Sequence, residues 1–364
     1  MRVVVKIGTS TTTENGRLCA PRLLEYARVI SALVAAGHEI ALVTSGAVAA
    51  GREALGIAPG ERSVAAKQML AAVGQPRLMA LYGELFGYYD LRVAQVLLTR
   101  ADLEQRRSYL NARRTFEELF AHKTLPIINE NDTVATEEIR VGDNDQLSAL
   151  VANLIDARML LLLTDQPGLF DADPRFNPGA KLVERVDSAE IPAALWQAAG
   201  ARGSNVGTGG MLTKLKAADI ARRGGSEVII ADGADPLAIP GLIAGLGVST
   251  RFSALAPPRE ARKRYILSGL RSGVGVAIDA GAKSALDQGR SLLGVGVIRI
   301  EGDFDRGETV TVHETDGRAL ARGIANYGAS ELRRIAGKRS SEIEGLLGYD
   351  FGAEFIHRDD LVML

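Results

Sequence analysis

The sequence predicts an α/β protein: a doubly wound, mainly parallel sheet followed by a small, mostly-β module. Three observations carry this prediction. Six short runs made almost wholly of Val, Ile and Leu recur through the first two-thirds of the chain, as expected of strands covered by helices on both faces. Segments with helical spacing separate these runs, and such alternation implies parallel strands joined by crossover helices. Beyond Pro257-Pro258 the texture changes to short alternating runs and Gly-rich turns, the pattern of a separate β module.

The strand candidates, in order, are VVVKIG (3–8), EIALVTS (39–45), LRVAQVLLT (91–99), LPIINEN (125–131), MLLLLTD (159–165) and EVIIADG (227–233). Helices are predicted over 21–36, 63–86, 108–122, 145–157, 188–199 and 211–223. TVATEEIRV (133–141) alternates with a different rhythm and reads as a β-hairpin inserted at a strand end. The Pro pair and the basic cluster after it mark a boundary. The expected domains are 1–257, a linker over 258–269, and a β-rich module over 270–364.

At 364 residues the chain exceeds a typical single core, so two domains are expected. It carries 43 Lys+Arg against 44 Asp+Glu, a balance that gives no general attraction to nucleic acid or membrane. The β-rich module is also neutral, with 16 Lys+Arg and 16 Asp+Glu over 258–364. The single cysteine, Cys19, rules out an intrachain disulfide and a Cys-rich zinc site. MRVVVKIG lacks the pattern of a signal peptide, and no apolar run approaches the roughly 20 residues that span a bilayer. A cytoplasmic protein is expected.

In open α/β sheets, ligands bind at the carboxyl ends of the strands. Following the strands are Lys6-Ile7-Gly8-Thr9-Ser10, then Thr44-Ser45-Gly46 opening a helix, then a stretch dense in Asn, Asp and Glu from 129 to 145, then Thr164-Asp165. NVGTGGMLTKLKAAD (205–219) adds a glycine run leading into a helix with Lys214 one turn in. Each corner by itself also reads as an ordinary turn or helix N-cap. Lys6 is different: a charged side chain inside an apolar strand needs a partner or a ligand. Together the corners describe a phosphoryl-transfer site, with lysines for charge and helix N-termini at 9–10, 45–47 and 209–212 as phosphate donors. It is not a P-loop, whose lysine directly follows the last glycine. Hydrolase and zinc-protease motifs are missing, and the glycines at 273/275 and 294/296 lack the rest of a dinucleotide fingerprint.

These segments, with KQMLAAVGQ, LNARRTFEEL, PIINENDTVATEEIRVGDNDQLSALVA, LLLLTDQPGLFDADPR and VGTGGMLTK among them, resemble the glutamate 5-kinases of the amino acid kinase superfamily. The tail, in LRRIAGKRSSEIEGLLGY and HRDDLVM, resembles the PUA domain that many bacterial members carry. The resemblance implies the amino acid kinase fold and ATP-dependent phosphorylation of the γ-carboxylate of L-glutamate, the first step of proline biosynthesis. It makes Lys6, Lys214 and Asp145 catalytic, the carboxylate holding the two lysines in register. Ser45, Gly46, Asp132 and Asn144 would bind glutamate. Lys6, Thr164, Asp165, Thr208, Gly209, Gly210, Met211, Leu212, Thr213 and Lys214 would bind ATP, Leu212 standing where a small polar residue is common. No side chain stands out as a Mg²⁺ ligand, so the phosphates and water are expected to hold the ion. The resemblance also implies proline as feedback inhibitor, a homodimer or homotetramer, and hand-over of the product to a glutamyl phosphate reductase.

The alternatives are other members of the superfamily, which phosphorylate N-acetylglutamate, aspartate, carbamate or UMP, an amino acid sensor without catalysis, or an RNA-binding protein acting through the tail. The free-amino-acid pocket read from NEND and GDND favours glutamate. The neutral tail disfavours RNA, with Arg333, Arg334, Lys338 and Arg339 as the one candidate basic face.

Overall fold

A computed structural model describes residues 1–58, 60, 63–135, 144–200, 210–268 and 270–364. The chain divides into two compact units, Met1–Glu104 with Ala112–Pro258, and Gln105–Asn111 with Arg259–Leu364.

The first unit is built on an eight-stranded sheet. Its strands, in chain order, are β1 (Arg2–Ile7), β2 (Glu39–Val43), β3 (Val93–Leu98), β4 (Leu125–Glu130), β5 (Met159–Thr164), β6 (Arg185–Val186), β7 (Glu227–Asp232) and β8 (Thr250–Phe252). The spatial order is β3-β4-β2-β1-β5-β7-β8-β6. All neighbours pair parallel except β7 and β8. Val3, Val4 and Val5 are wholly buried, as are Leu160 to Leu162, which is why these strands read as unbroken apolar runs. After β1 the chain moves to β2 on one side, and after β5 to the strands on the other. The adjacent ends of β1 and β5 are therefore a topological switch point, where an open sheet leaves a crevice for a ligand.

The helices joining these strands include α1 (Ala20–Ala35), α2 (Ala47–Leu55), α3 (Val64–Gly87) and α5 (Asn144–Leu154). The segment Arg106–Ala121 is α4, Ala193–Gly200 is α6 and Met211–Arg223 is α7. Helix α1 buries Leu23, Tyr26, Ala27, Ile30 and Leu33, which pack with Val3, Val5, Leu42, Leu161 and Ile229 of the sheet in one core. The helix predicted over 188–199 begins only at Ala193, because Pro192 disfavours helical geometry at the residue before it and instead supplies the carbonyl that accepts from the Leu195 N–H. The expected hairpin over 133–141 falls largely outside the described residues, and Asp132 to Val134 form a turn.

Helices α2 and α3 pack at backbone contact. A Cβ on Gly51 would lie 1.9 Å from the Leu70 carbonyl oxygen, and one on Gly74 would lie 1.8 Å from that of Ala47. The segment expected as a linker is a helix, Pro258–Ser268.

The second unit has a five-stranded sheet of Leu270–Ile278, Val297–Glu301, Thr309–His313, Ala319–Ile324 and Leu361–Met363. Its pairings are antiparallel apart from that between Leu270–Ile278 and Thr309–His313. Val276, Val310, Val312, Phe304, Leu332 and Phe355 belong to a hydrophobic core of its own.

Candidate functional site

Lys6 lies near the end of β1, in register with Val43 of β2 and Leu162 of β5. Its ammonium is 2.6 Å from Asp145 Oδ1, and that of Lys214 is 3.1 Å from Asp145 Oδ2. The side chains of Lys6 and Lys214 are each 5% exposed and that of Asp145 is 0% exposed. Burying charge is costly unless it is paired and hydrogen-bonded, so three such groups in one place are held by one another. Asp145 sits in the first turn of α5, where the helix dipole favours a carboxylate. Thr213 adds its hydroxyl, 3.0 Å from Asp145 Oδ2. The expected trio thus comes together from β1, α5 and α7, with one carboxylate spanning two cations.

Lys214 is brought in by the start of α7. Gly210 is the N-cap, in extended conformation, and its carbonyl accepts from the N–H groups of Thr213 and Lys214. The N–H groups of Met211 and Leu212 precede any intrahelical acceptor and are available to an anion. No acidic side chain occupies this first turn, and Arg222 and Arg223 close the last one. Thr208 and Gly209 lie outside the described residues.

A second group of residues gathers where β2 meets α2. Gly46 caps α2 with a φ of +118°, a left-handed conformation that costs glycine little and other residues more. A Cβ there would also lie 3.2 Å from Leu18 Cδ2 and 3.2 Å from Thr12 Oγ1. Asn144 reaches this corner: its Nδ2 donates to the Thr44 carbonyl at 2.5 Å and to Ser45 Oγ at 3.2 Å. Thr44 Oγ1 and Tyr82 Oη are 2.6 Å apart in the core beneath. Asp132 stands in the turn after β4. Burial pushes its carboxyl up to about 6, with Lys67 pulling in the opposite direction. Among the described residues it makes no hydrogen bond to Ser45 or Asn144, so the site brings Ser45, Gly46 and Asn144 together directly and places Asp132 near the end of the neighbouring strand.

At the end of β5, Thr164 is buried and its hydroxyl donates to Asp165 Oδ1 at 3.0 Å. The Thr164 carbonyl accepts from the Gly233 N–H at 2.8 Å, and the Gly233 carbonyl accepts from Tyr26 Oη at 2.6 Å. The ends of β5 and β7 are tied to each other and to α1.

Sequence reasoning missed Asn129, Gln75, Tyr26 and Tyr82. Asn129 carries the same signal as Lys6, a polar side chain inside a buried strand: its exposure is 2%. The other three are on helices, where an amide or a phenol reads equally as a surface group.

Residues 1–232 match the amino acid kinase family and residues 275–347 match the PUA domain. A carbamate kinase from Giardia lamblia, solved bound to AMP-PNP, shares the fold with a TM-score of 0.50 at 17% identity, covering 69% of this chain and 98% of that one. Fold and site therefore define a small-molecule kinase of the amino acid kinase type. Two curated relatives narrow the class. A glutamate 5-kinase of Deinococcus radiodurans is 52% identical over 366 residues, covering all of both chains. One of Shewanella sediminis is 53% identical over 365 residues, covering 100% of this chain and 98% of that one. The chain belongs to the glutamate 5-kinase family and is an enzyme with a C-terminal PUA domain.

Proposed function

We propose that the protein transfers the γ-phosphoryl group of ATP to the γ-carboxylate of L-glutamate, giving L-glutamyl 5-phosphate, the first step of proline biosynthesis. The observation that carries this reading is the buried Lys6–Asp145–Lys214 arrangement, joined to close relatives that are glutamate 5-kinases. A glutamate side chain has an ordinary pKa of about 4.3, so the acceptor is already ionised at neutral pH and needs no general base. The obstacle is repulsion between that carboxylate and the phosphates. Lys6 and Lys214 approach the transferring group from the two sides of Asp145, and their charge counts for most where charge is redistributed in the transition state.

In this reading Thr164, Asp165, Thr208, Gly209, Gly210, Met211, Leu212 and Thr213 hold the nucleotide along with the two lysines. Ser45, Gly46, Asp132 and Asn144 hold glutamate. Among the described residues no three His, Cys, Asp or Glu side chains are grouped as a metal site, and Asp145 is engaged by both lysines. Mg²⁺ therefore fits best as an ion carried by the nucleotide phosphates and water, where it screens their charge.

The catalytic domain is taken as 1–257 and the PUA-like domain as 270–364, joined by 258–269. Proline as inhibitor, a homodimer or homotetramer, transfer of product to a reductase and a cytoplasmic location follow from the family reading. Among the described residues no helix is long and apolar enough to cross a membrane. Against RNA binding by the tail stands its balance of 16 Lys+Arg and 16 Asp+Glu over 258–364, which gives no general attraction to a phosphate backbone.

The test is to incubate the protein with Mg-ATP, hydroxylamine and L-glutamate, aspartate or N-acetylglutamate, and to assay the acyl hydroxamate. Product from glutamate, absent with Lys214→Ala, is the expected result. Product from another acceptor alone would keep the phosphate site and overturn the acceptor assignment. Folded protein that binds ATP and phosphorylates none would overturn the kinase reading.

A further inference from the structure

Asn144 stands at the end of a line of amides. Besides its bonds to Thr44 and Ser45, its Nδ2 donates to Asn129 Oδ1 at 2.7 Å. Asn129 Nδ2 donates to Gln75 Oε1 at 2.9 Å. Gln75 Nε2 donates to Gln95 Oε1, also at 2.9 Å. Gln75, Asn129 and Asn144 are buried and Gln95 is exposed, so the line runs from the surface of β3 through α3 and β4 to the acceptor corner.

An amide has nearly the same shape either way round but opposite hydrogen-bonding ends, so such a line keeps one direction only if something fixes it. Two backbone groups do. The Thr44 carbonyl can only accept, so Asn144 must present its nitrogen there. The Glu130 N–H can only donate, and it meets Asn129 Oδ1 at 2.9 Å. Each remaining link then follows, donor to acceptor. With Nδ2 of Asn144 committed to protein oxygens, Oδ1 is left; among the described residues it accepts no hydrogen bond. A carbonyl oxygen at that place attracts a donor such as an ammonium and gives nothing to an anion.

Gln75 is the buried member that turns the line inward, and its own position is rigid. It follows Gly74, the residue locked against Ala47 of α2. Its Oε1 satisfies Asn129 Nδ2; without it Asn129 would bury an unpaired N–H and could hold Asn144 only by moving.

We propose that Gln75 is a positioning residue for substrate selection: by accepting from Asn129 Nδ2 it holds in place the Asn129–Asn144 amides, whose direction the Thr44 carbonyl and the Glu130 N–H fix, so that Asn144 Oδ1 accepts from an α-ammonium group and the site prefers an amino acid to the corresponding plain dicarboxylate. The inference rests on the assignment of Asn144 to the acceptor site made under Proposed function.

The experiment compares L-glutamate with glutarate, the same dicarboxylate without its amino group, in the hydroxamate assay on the full-length protein. Wild type should favour glutamate. Gln75→Met should lower kcat/KM for glutamate about tenfold, through KM, the effect of one lost polar contact. The values for glutarate and the KM for ATP should stay within about twofold, because neither involves the ammonium contact. Gln75→Asn keeps a polar side chain but is one methylene too short, and carries the same expectation should the methionine variant fold poorly. Gln75→Glu can still accept from Asn129 and should retain the preference for glutamate. Equal losses for both acceptors, a KM for ATP that rises alongside, or an unchanged preference in the Met and Asn variants would overturn the proposal. Wild-type protein that phosphorylates neither acceptor would instead overturn the glutamate reading beneath it.

Discussion

At Asp145 one carboxylate meets two ammonium groups and a threonine hydroxyl, and substitutions there should act on the chemical step more than on binding. Asp145→Asn preserves shape while removing the charge that places both lysines. Steady-state kinetics should show kcat lowered by about 10²-fold or more, with the KM for ATP changed far less. Lys6→Met should behave alike, and the double variant should fall well short of the product of the single losses, since each breaks the same shared arrangement. Asp132 makes a prediction in pH. Its carboxyl is pushed up to about 6 by burial, so below that pH a glutamate bound there, as proposed, would increasingly meet a neutral acid in place of a carboxylate. The profile of kcat/KM for glutamate should therefore lose activity toward acid with an apparent pKa near 6, and Asp132→Asn should flatten that limb. The folding term has the opposite sign. A carboxyl raised in the folded state binds its proton more readily there than in the unfolded chain, so its contribution to stability grows as pH falls through 6 toward 3.8. Urea midpoints should therefore show wild type gaining on Asp132→Asn as pH falls through this range.

Among the elements, α2 and α3 fix the corner proposed to bind the acceptor, because two glycines let their backbones touch. Gly74→Ala would drive a methyl group into the Ala47 carbonyl, and with backbone on the other side the helices must separate. A loss of about 2–3 kcal/mol in denaturant unfolding is expected, together with a raised KM for glutamate, since Thr44 to Gly46 lead into α2. Two buried tyrosines provide a sharper separation. Tyr26 Oη holds the Gly233 carbonyl, on the side proposed for the nucleotide, and Tyr82 Oη meets Thr44, on the side proposed for the acceptor. Tyr26→Phe should raise the KM for ATP several-fold, roughly the worth of a buried hydrogen bond, and leave that for glutamate alone. Tyr82→Phe should do the reverse, and equal effects on both substrates would show that the hydroxyls serve only the core. This level also shows how far the chain could be read unaided. The strands were legible because burial on both faces leaves almost pure Val, Ile and Leu, and Lys6 stood out against that background. The corners were legible because a parallel sheet collects its strand ends on one side. Gly51 opposite Gly74, and Gln75 pointing to Asn129, were not legible, because each depends on how one helix meets a second element, and neither periodicity nor spacing encodes that register.

For the molecule as a whole, the charge is nearly balanced at 43 Lys+Arg to 44 Asp+Glu, while the functional cations are withdrawn from the surface. Lys6 and Lys214 each expose only 5% of their side chains and are both paired with Asp145, so they form no exposed basic surface. Mobile ions screen exposed charges over a Debye length of about 8 Å at physiological salt, but screen buried ones much less. Two regimes can therefore be told apart by ionic strength. An enzyme that gathers nucleotide through a basic surface loses kcat/KM steeply as salt rises, because long-range attraction sets the encounter rate. If the nucleotide binds as proposed, the attraction begins only once the phosphates reach α7 and the two lysines, where contact would exclude the screening ions. Between 50 and 300 mM KCl, at fixed free Mg²⁺, kcat/KM for ATP should therefore change by less than about threefold. A drop of tenfold or more over that range would mean that exposed cations outside the Lys6–Asp145–Lys214 group govern capture of the nucleotide.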